Sequence, residues 1–151
     1  MSAPEPAAGE LLDGEHLLAV RIYYEDTDFT GVVYHANYLR YLERGRSDAL
    51  RLSGVSHAAL AERPDPVAFV VRRLELDFVR PARVDDALVV RTRYEQLKGP
   101  RIIVRQRIER SGQEIASARV EVVCIRPDGR PVRPPADIAA ALKLAPRRIG
   151  D

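Results

Sequence analysis

The chain has little cysteine, tryptophan and lysine, and these shortages exclude several classes of protein. Cys124 is the single cysteine among 151 residues, so an intrachain disulfide and a cysteine-rich zinc ribbon are both excluded. Tryptophan is absent and few aromatic residues lie among the arginines, which argues against a platform for single-stranded nucleic acid. No apolar run reaches the length of a membrane span, and the N-terminus lacks a basic region followed by an apolar stretch. We expect a cytoplasmic protein that binds no nucleic acid.

The positive charge is carried almost entirely by arginine, because Lys98 and Lys143 are the only lysines. The first 15 residues contain four carboxylates and no basic residue, so the formal net charge of +2 understates the positive charge of the remainder. Guanidinium groups suit phosphate recognition, so phosphate-bearing ligands, nucleic acid among them, are candidates on charge alone. An ordinary arginine-rich surface explains the same composition, so charge alone is unspecific.

The length suits one domain with a short tail at each end. Residues 1–15 are rich in Ala, Pro, Gly and Glu and are predicted to lack fixed structure. The single domain is expected over residues 16–145, and residues 146–151 form a C-terminal tail.

The hydrophobic periodicity predicts an α+β fold with one long helix. Apolar residues of segment 38–52 recur at spacings of three and four, as in an amphipathic helix. Gly45 inside that helix indicates close packing of its backbone against a sheet. From Val67 the period changes to two, and turns containing glycine join the last three strands into an antiparallel meander. The predicted strands are 16–25, 67–78, 88–96, 102–109 and 114–125, followed by a short helix at 137–144.

Segment 23–38, which reads YYEDTDFTGVVYHANY, lies between the first strand and the helix and crowds chemically active side chains together. Asp28 to Gly31 form a predicted turn, with His35 and the helix start just beyond it. A carboxylate just before a helix start lies near free backbone N–H groups, which stabilise negative charge. If the chain is an enzyme, we expect its chemistry in this segment.

This segment resembles the motif of the acyl-CoA thioesterase family related to 4-hydroxybenzoyl-CoA thioesterase, most closely the bacterial branch found with the Tol-Pal cell-envelope system. The resemblance implies the hotdog fold, an antiparallel sheet wrapped around a central long helix. It also implies a homodimer or homotetramer with sites formed between subunits. Similarity covers roughly residues 17–126. The matching residues are the tyrosine at 24, E-D-T-D at 25–28, G-V-V-Y-H-A at 31–36, N-Y at 37–38 and E-R-G-R at 43–46.

The resemblance implies hydrolysis of an acyl thioester to free acid and CoA, with acyl-CoA as substrate and acyl carrier protein as a further candidate partner. Asp28 occupies the position of the family's catalytic aspartate, where it would attack the carbonyl or activate water while helix N-terminal amides polarise the carbonyl. His35 and Tyr24 match other site positions of the family. Substrate contacts are predicted for three residues around the turn and for two arginines: Gly31, Val33, Tyr34, Arg72 and Arg83.

Two other functions stay open on the sequence. A hotdog hydratase or dehydratase would show a D-x-x-x-x-H spacing, whereas Asp28 and His35 are seven residues apart. A non-catalytic module would bind acyl chains, acyl carrier protein or an envelope partner in the same pocket without turnover. No cofactor is implied. The three histidines lack a compact ligand spacing, so we expect no metal.

Several residues near the motif have structural roles as their simpler explanation. Asp26 is expected to cap or to pair with an arginine rather than to act in catalysis. Glu43 and Arg46 are predicted to form a salt bridge on the helix. Cys124 lies on a strand face among small apolar neighbours and is predicted to be buried.

Overall fold

The structure, a computed structural model, describes residues 2–143. Over this range the chain forms strands and helices in the order β1 (Glu10–Leu12), β2 (Glu15–Arg21), α1 (Asn37–Leu52), α2 (His57–Ala61), β3 (Ala68–Phe78), β4 (Ala87–Lys98), β5 (Arg101–Arg110), β6 (Gln113–Ile125) and α3 (Ala136–Ala141). A short 3-10 helix, Tyr24–Asp26, lies between β2 and α1.

All strand pairs are antiparallel and build one sheet in the order β1-β2-β4-β5-β6-β3. The predicted meander of the last three strands is confirmed, because β4, β5 and β6 are neighbours in the sheet. β3 pairs with β6 and therefore lies at one edge of the sheet, with no strand on its other side among residues 2–143. The sheet and the single long helix confirm the α+β hotdog prediction.

Helix α1 packs its apolar face on the sheet, and the core lies between them. Tyr38, Tyr41 and Leu42 are buried in that core. A Cβ atom on Gly45 would lie 2.8 Å from Val90 Cγ1 and 2.9 Å from the Thr92 hydroxyl. The predicted close approach of helix and sheet at Gly45 is therefore confirmed.

Regular structure begins at Glu10, closer to the N-terminus than the composition indicated. β1 pairs with β2 through a turn at Asp13 and Gly14, both of which adopt positive φ. The Gly9 amide donates a 2.8 Å hydrogen bond to Asp48 on α1, and the buried His16 ring contacts the same carboxylate at 2.7 Å. The prediction of an unstructured segment through residue 15 was wrong because composition does not reveal these long-range hydrogen bonds.

The other boundaries differ modestly. β2, which corresponds to the predicted strand at 16–25, ends at Arg21 rather than at residue 25, because the chain turns into the 3-10 helix. α2 was not predicted, and α3 covers Ala136–Ala141 of the predicted 137–144. The predicted domain end at 145 and the tail at 146–151 lie outside the described residues. No helix within residues 2–143 combines the length and the apolar character that crossing a bilayer requires.

Candidate active site

Asp28 sits at the start of a tight turn that the backbone closes on both sides. Its amide donates to the Val32 carbonyl at 3.0 Å, and its carbonyl accepts from the Gly31 amide at 3.0 Å. Gly31 has a φ of +82°, a left-handed conformation that glycine adopts without steric cost. The turn therefore requires the glycine that the sequence places there and holds Asp28 at a defined position.

The Asp28 carboxylate is anchored through one oxygen. Thr30 donates two hydrogen bonds to Oδ1, one from its amide at 2.8 Å and one from its hydroxyl. No group among residues 2–143 donates a hydrogen bond to Oδ2. The hydrogen bond from the Thr30 hydroxyl, then that from the Thr30 amide and the charge of His35, hold the pKa of Asp28 below its ordinary value. Asp28 is thus an ionised carboxylate with one oxygen fixed and the other available.

Thr30 is a site residue that sequence reasoning missed. The signal was present, because an aspartate whose side chain accepts the backbone N–H two residues later is a common turn arrangement. Only the fold shows that the Thr30 hydroxyl joins the amide on the same carboxylate oxygen.

His35 follows the turn on an exposed part of the chain. Its ring centroid lies 4.5 Å from that of Tyr34 and 6.3 Å from that of Phe78, which it meets edge to face. Phe78 ends β3 and is 54% exposed. The structure brings His35 close enough to Asp28 to affect its pKa, but no hydrogen bond joins the two side chains.

Tyr24 and Asp26 take different places from Asp28. The Tyr24 side chain is 87% exposed and makes no hydrogen bond to Asp28. The Asp26 carboxylate accepts from the Tyr23 amide at 2.7 Å, which closes the start of the 3-10 helix. Its carbonyl accepts from the Asn37 side chain at 2.8 Å. The predicted capping role of Asp26 is confirmed.

The first amides of α1 are already occupied. Those of Asn37, Tyr38 and Leu39 donate to the carbonyls three residues earlier at 2.9, 3.3 and 3.2 Å. Within residues 2–143, the amides of His35 and Ala36 have no hydrogen-bond acceptor. The available donors therefore lie in the turn just before the helix rather than in its first turn.

The segment at Ala82 and Arg83 pairs with the end of the Asp28 turn. Val32 forms a β-bridge with Arg83, and the Val33 amide donates to Ala82 at 2.8 Å. The Tyr38 hydroxyl accepts from the Ala82 amide at 3.3 Å and thereby ties this segment to α1. The Val33 side chain is buried in the core, so its predicted contact with substrate does not fit its position in this chain.

Arg72 lies far from Asp28 within the same chain. Arg72 lies six positions before Phe78 on β3, and this spacing corresponds to about 20 Å along an extended strand. Its guanidinium donates to Glu121 at 2.5 Å, and that bond holds the pKa of Glu121 below its ordinary value. The structure thus brings His35 and Gly31 close to Asp28 and pairs the Arg83 backbone with the turn at Val32, whereas Arg72 lies elsewhere.

Two structural predictions nearby have different outcomes. Cys124 is buried, as predicted, and burial raises the pKa of its thiol to about 11, so it is no nucleophile. The predicted salt bridge between Glu43 and Arg46 is wrong, because Arg46 donates instead to the Gln106 side chain at 2.9 Å.

The antiparallel sheet packed on α1 gives the hotdog fold, and the Asp28 carboxylate, with one available oxygen, lies in the turn before the unpaired amides of His35 and Ala36. The family model described as the Thioesterase-like superfamily matches residues 23–142. The chain therefore belongs to the Thioesterase-like superfamily.

Individual relatives agree over most of the chain. The acyl-CoA thioesterase YbgC of Haemophilus influenzae is 39% identical over 132 residues, which cover 87% of this chain and 96% of that protein. The acyl-CoA thioester hydrolase YbgC of Escherichia coli O6:H1 is 44% identical over 110 residues, which cover 72% of this chain and 80% of that protein. The crystal structure of a probable thioesterase from Bartonella henselae matches with a TM-score of 0.78 and 41% identity, covering 80% of this chain and 99% of that one.

Proposed function

We propose that this chain hydrolyses an acyl-CoA thioester to the free acid and CoA, with Asp28 as nucleophile or general base. The observation that carries the proposal is the Asp28 carboxylate itself, ionised and anchored through Oδ1 by Thr30 while Oδ2 accepts no hydrogen bond from residues 2–143. Relatives named acyl-CoA thioesterases supply the substrate class.

The reaction consumes one water and breaks the bond between the acyl carbon and sulfur. As general base, Asp28 Oδ2 takes a proton from water while the water oxygen attacks the carbonyl carbon. As nucleophile, the same oxygen attacks first and forms an anhydride, which water then cleaves. In both routes sulfur leaves as a thiolate, which a thiol pKa of about 8.5 makes easy, so a strong general acid is not required.

Negative charge develops on the carbonyl oxygen during attack. The amides of His35 and Ala36 are the donors we assign to it, since the first amides of α1 bond to local carbonyls. Donors of this type typically contribute about 2.7–4 kcal/mol in the transition state. We assign to His35 the orientation of the water or the carbonyl, and to the exposed Arg83, whose backbone pairs with Val32 in the turn, contact with a CoA phosphate.

We also propose that the active unit is at least a homodimer that pairs through β3. This strand is 11 residues long and is an edge, and Val70, Val71 and Phe78 on it are about half exposed. An exposed apolar edge strand presents unpaired backbone N–H and C=O groups that favour aggregation, and pairing with a second copy satisfies them. The cavity between the second half of α1 and the start of β3 has no lining residue from the Asp28 turn, and we infer that a substrate pocket at this carboxylate includes a second surface.

Three finer assignments rest on the sequence resemblance. They are the branch found with the Tol-Pal system, acyl carrier protein as a further substrate carrier, and a cytoplasmic location. The single buried cysteine is compatible with a reducing compartment.

The test is thiol release from a panel of acyl-CoA esters by the wild type and Asp28→Asn. We expect the variant to lose about a hundredfold or more in rate, because asparagine keeps the size and removes the basicity. Asp26→Asn is the matched control: it makes the same change two residues away, at a carboxylate that caps the 3-10 helix and adds to the effect of burial in raising the pKa of Tyr41, and we expect it to retain turnover.

The same panel separates the competing functions. Equal rates for Asp28→Asn and wild type would show that Asp28 is structural. Binding of the esters without thiol release by either protein would favour a non-catalytic acyl-binding module. Hydration of an enoyl-CoA ester would favour the hydratase.

A further inference from the structure

A cavity of about 420 Å³ lies between the hairpin of β1 and β2, the C-terminal end of α1, the middle of β4 and the end of α3. No residue of segment 23–38, which the structure describes in full, lines it, so it is separate from the Asp28 turn. Its volume corresponds to about fourteen waters at about 30 Å³ each, which leaves room for a small organic molecule. The apolar part of its wall consists of Leu11, Leu12, Ala49, Ala141 and Leu142.

The buried His16 side chain of β2 also lines this cavity. Its Nε2 atom lies 2.7 Å from Asp48 Oδ2, which accepts from the Gly9 amide at 2.8 Å as well. Arg51 donates to the other oxygen of the same carboxylate at 3.3 Å. Because a carboxylate that receives these donors acts as an acceptor, Nε2 carries the proton of the neutral ring. The second ring nitrogen, Nδ1, is then left as a hydrogen-bond acceptor.

His16 Nδ1 is buried and has no hydrogen-bond partner among residues 2–143. The Nε2 edge of the ring faces Gly9 and Asp48, and neither of these residues lines the cavity. The cavity therefore borders the opposite part of the ring, which carries Nδ1. A buried acceptor without a donor is unfavourable, and a donor group brought into the cavity removes this penalty.

The other polar side chains of the wall place no comparable demand on an occupant. The charged ones, Asp13, Arg93 and Lys143, are exposed, so water solvates them. Three uncharged ones already have partners within the protein. Their hydrogen bonds join Thr92 to the Gln106 side chain at 2.9 Å, Tyr94 to the Arg46 carbonyl at 2.9 Å and Ser53 to the Leu50 carbonyl at 2.6 Å.

We propose that this cavity binds a small uncharged phenol, whose hydroxyl group donates to His16 Nδ1 while its ring packs on the apolar wall. The hydroxyl supplies the donor that Nδ1 lacks, and the absence of charge suits the wall, since burying an unpaired ion is costly. A phenol fits better than an aliphatic alcohol, because its more acidic O–H is a stronger donor and its rigid ring loses little conformational entropy on binding. This binding site is additional to the proposed hydrolysis at Asp28.

Calorimetric titration of the full chain with p-cresol and p-xylene tests the hydrogen bond, because the two probes have nearly the same shape and only p-cresol has a donor. His16→Gln is the informative variant: the amide nitrogen of glutamine takes the place of Nε2 and keeps the bond to Asp48, but no acceptor remains at the position of Nδ1. We expect the ratio of the p-cresol affinity to the p-xylene affinity to fall at least about tenfold in His16→Gln. An unchanged ratio, or a wild type that binds no p-cresol, would overturn the proposal.

A pair of neighbouring substitutions on α3 tests the location. Ala141→Phe places a ring in the cavity, and we expect it to weaken p-cresol binding at least about tenfold. Ala140→Phe adds the same ring at an exposed position that does not line the cavity, and it should leave the affinity unchanged. Circular dichroism checks that both variants fold. Undiminished binding by a folded Ala141→Phe protein would place the ligand elsewhere and refute the assignment.

Nuclear magnetic resonance of protein with nitrogen-labelled histidine gives a readout that a purely structural role of His16 would not move. The Nδ1 resonance that disappears in His16→Gln belongs to this residue. We expect p-cresol to shift it and p-xylene to leave it near its position in the free protein, whereas equal effects of both probes would contradict the hydrogen bond. Cyclohexanol serves as the aliphatic alcohol, and tighter binding of cyclohexanol than of p-cresol would overturn the assignment to phenols. None of these measurements uses a thioester, so they stand or fall independently of the proposed hydrolysis.

Discussion

Replacing Gly45 with alanine sets two known effects of opposite sign against each other. Gly45 lies in the middle of α1, where alanine is favoured over glycine by about 1 kcal/mol. Its backbone also faces the sheet, and an added Cβ atom would lie 2.8 Å from Val90 Cγ1, 2.9 Å from the Thr92 hydroxyl and 3.2 Å from Gln106 Nε2. The first two separations are shorter than real Cβ contacts, so the helix or the sheet must move.

The packing cost is expected to exceed the helix gain. Overpacking a close-packed core costs about 1–3 kcal/mol. The neighbours also cannot yield freely, because Gln106 Nε2 donates to the Leu42 carbonyl at 2.8 Å and to the Thr92 hydroxyl at 2.9 Å. Weakening one such buried hydrogen bond costs about 1 kcal/mol more. After the helix gain is subtracted, Gly45→Ala should lower the free energy of unfolding by about 2 kcal/mol, which corresponds to a fall in Tm of about 4–8 °C.

Denaturant and thermal unfolding of the wild type and Gly45→Ala measure this difference. The control pair is Arg40→Ala and Arg40→Gly, at an exposed position of the same helix, where only the helix propensity acts and alanine should be better by about 1 kcal/mol. An alanine at position 45 that is neutral or stabilising would show that α1 does not press on β4 as described, and the reasoning would be refuted.

Three further predictions concern individual side chains. Thr30→Val removes the hydroxyl bond to Asp28, so the pKa of Asp28 should rise and the acidic limb of the pH profile of kcat/KM should move to higher pH; an unmoved limb would contradict the anchoring role. Asp48→Ala removes the shared acceptor of a buried cluster, and chemical denaturation should show a loss of about 2–4 kcal/mol, whereas a loss below about 1 kcal/mol would show that the cluster matters little. Because Arg72 lowers the pKa of Glu121, this pair stabilises the fold above the ordinary carboxyl pKa and loses that effect as the pH falls through the lowered value; Arg72→Leu should therefore move acid unfolding, followed by circular dichroism, to higher pH.

Local chemistry in the sequence predicted the parts of the site that depend on neighbouring residues. The turn at Gly31 follows from glycine's tolerance of positive φ, and the capping role of Asp26 follows from the habit of aspartate to bond nearby amides. Thr30 could have been found by the same reasoning. The N-terminal hairpin could not, since it depends on Asp48, 39 residues from Gly9.

The folded backbone decided which amides are available as donors, and long-range pairing decided the positions of the two arginines. Whether the amides of α1 are open depends on local carbonyls of the turn before it, and the periodicity of the helix carries no signal for that. Nothing in the sequence distinguishes Arg72 from Arg83 as a candidate substrate contact. Pairing of β3 with β6 ties Arg72 to Glu121, and a bridge to Val32 brings Arg83 to the turn.

The sequence by itself determined the α+β fold class, the central helix, the antiparallel meander and the segment that carries the carboxylate, because periodicity and turn chemistry act between residues near in sequence. The tertiary structure decided that β3 is an exposed edge and that the Asp28 turn lies near one end of it, where His35 packs on Phe78. These features arise from strand order and from the packing of α1 on the sheet, which bring together residues that are distant in the chain.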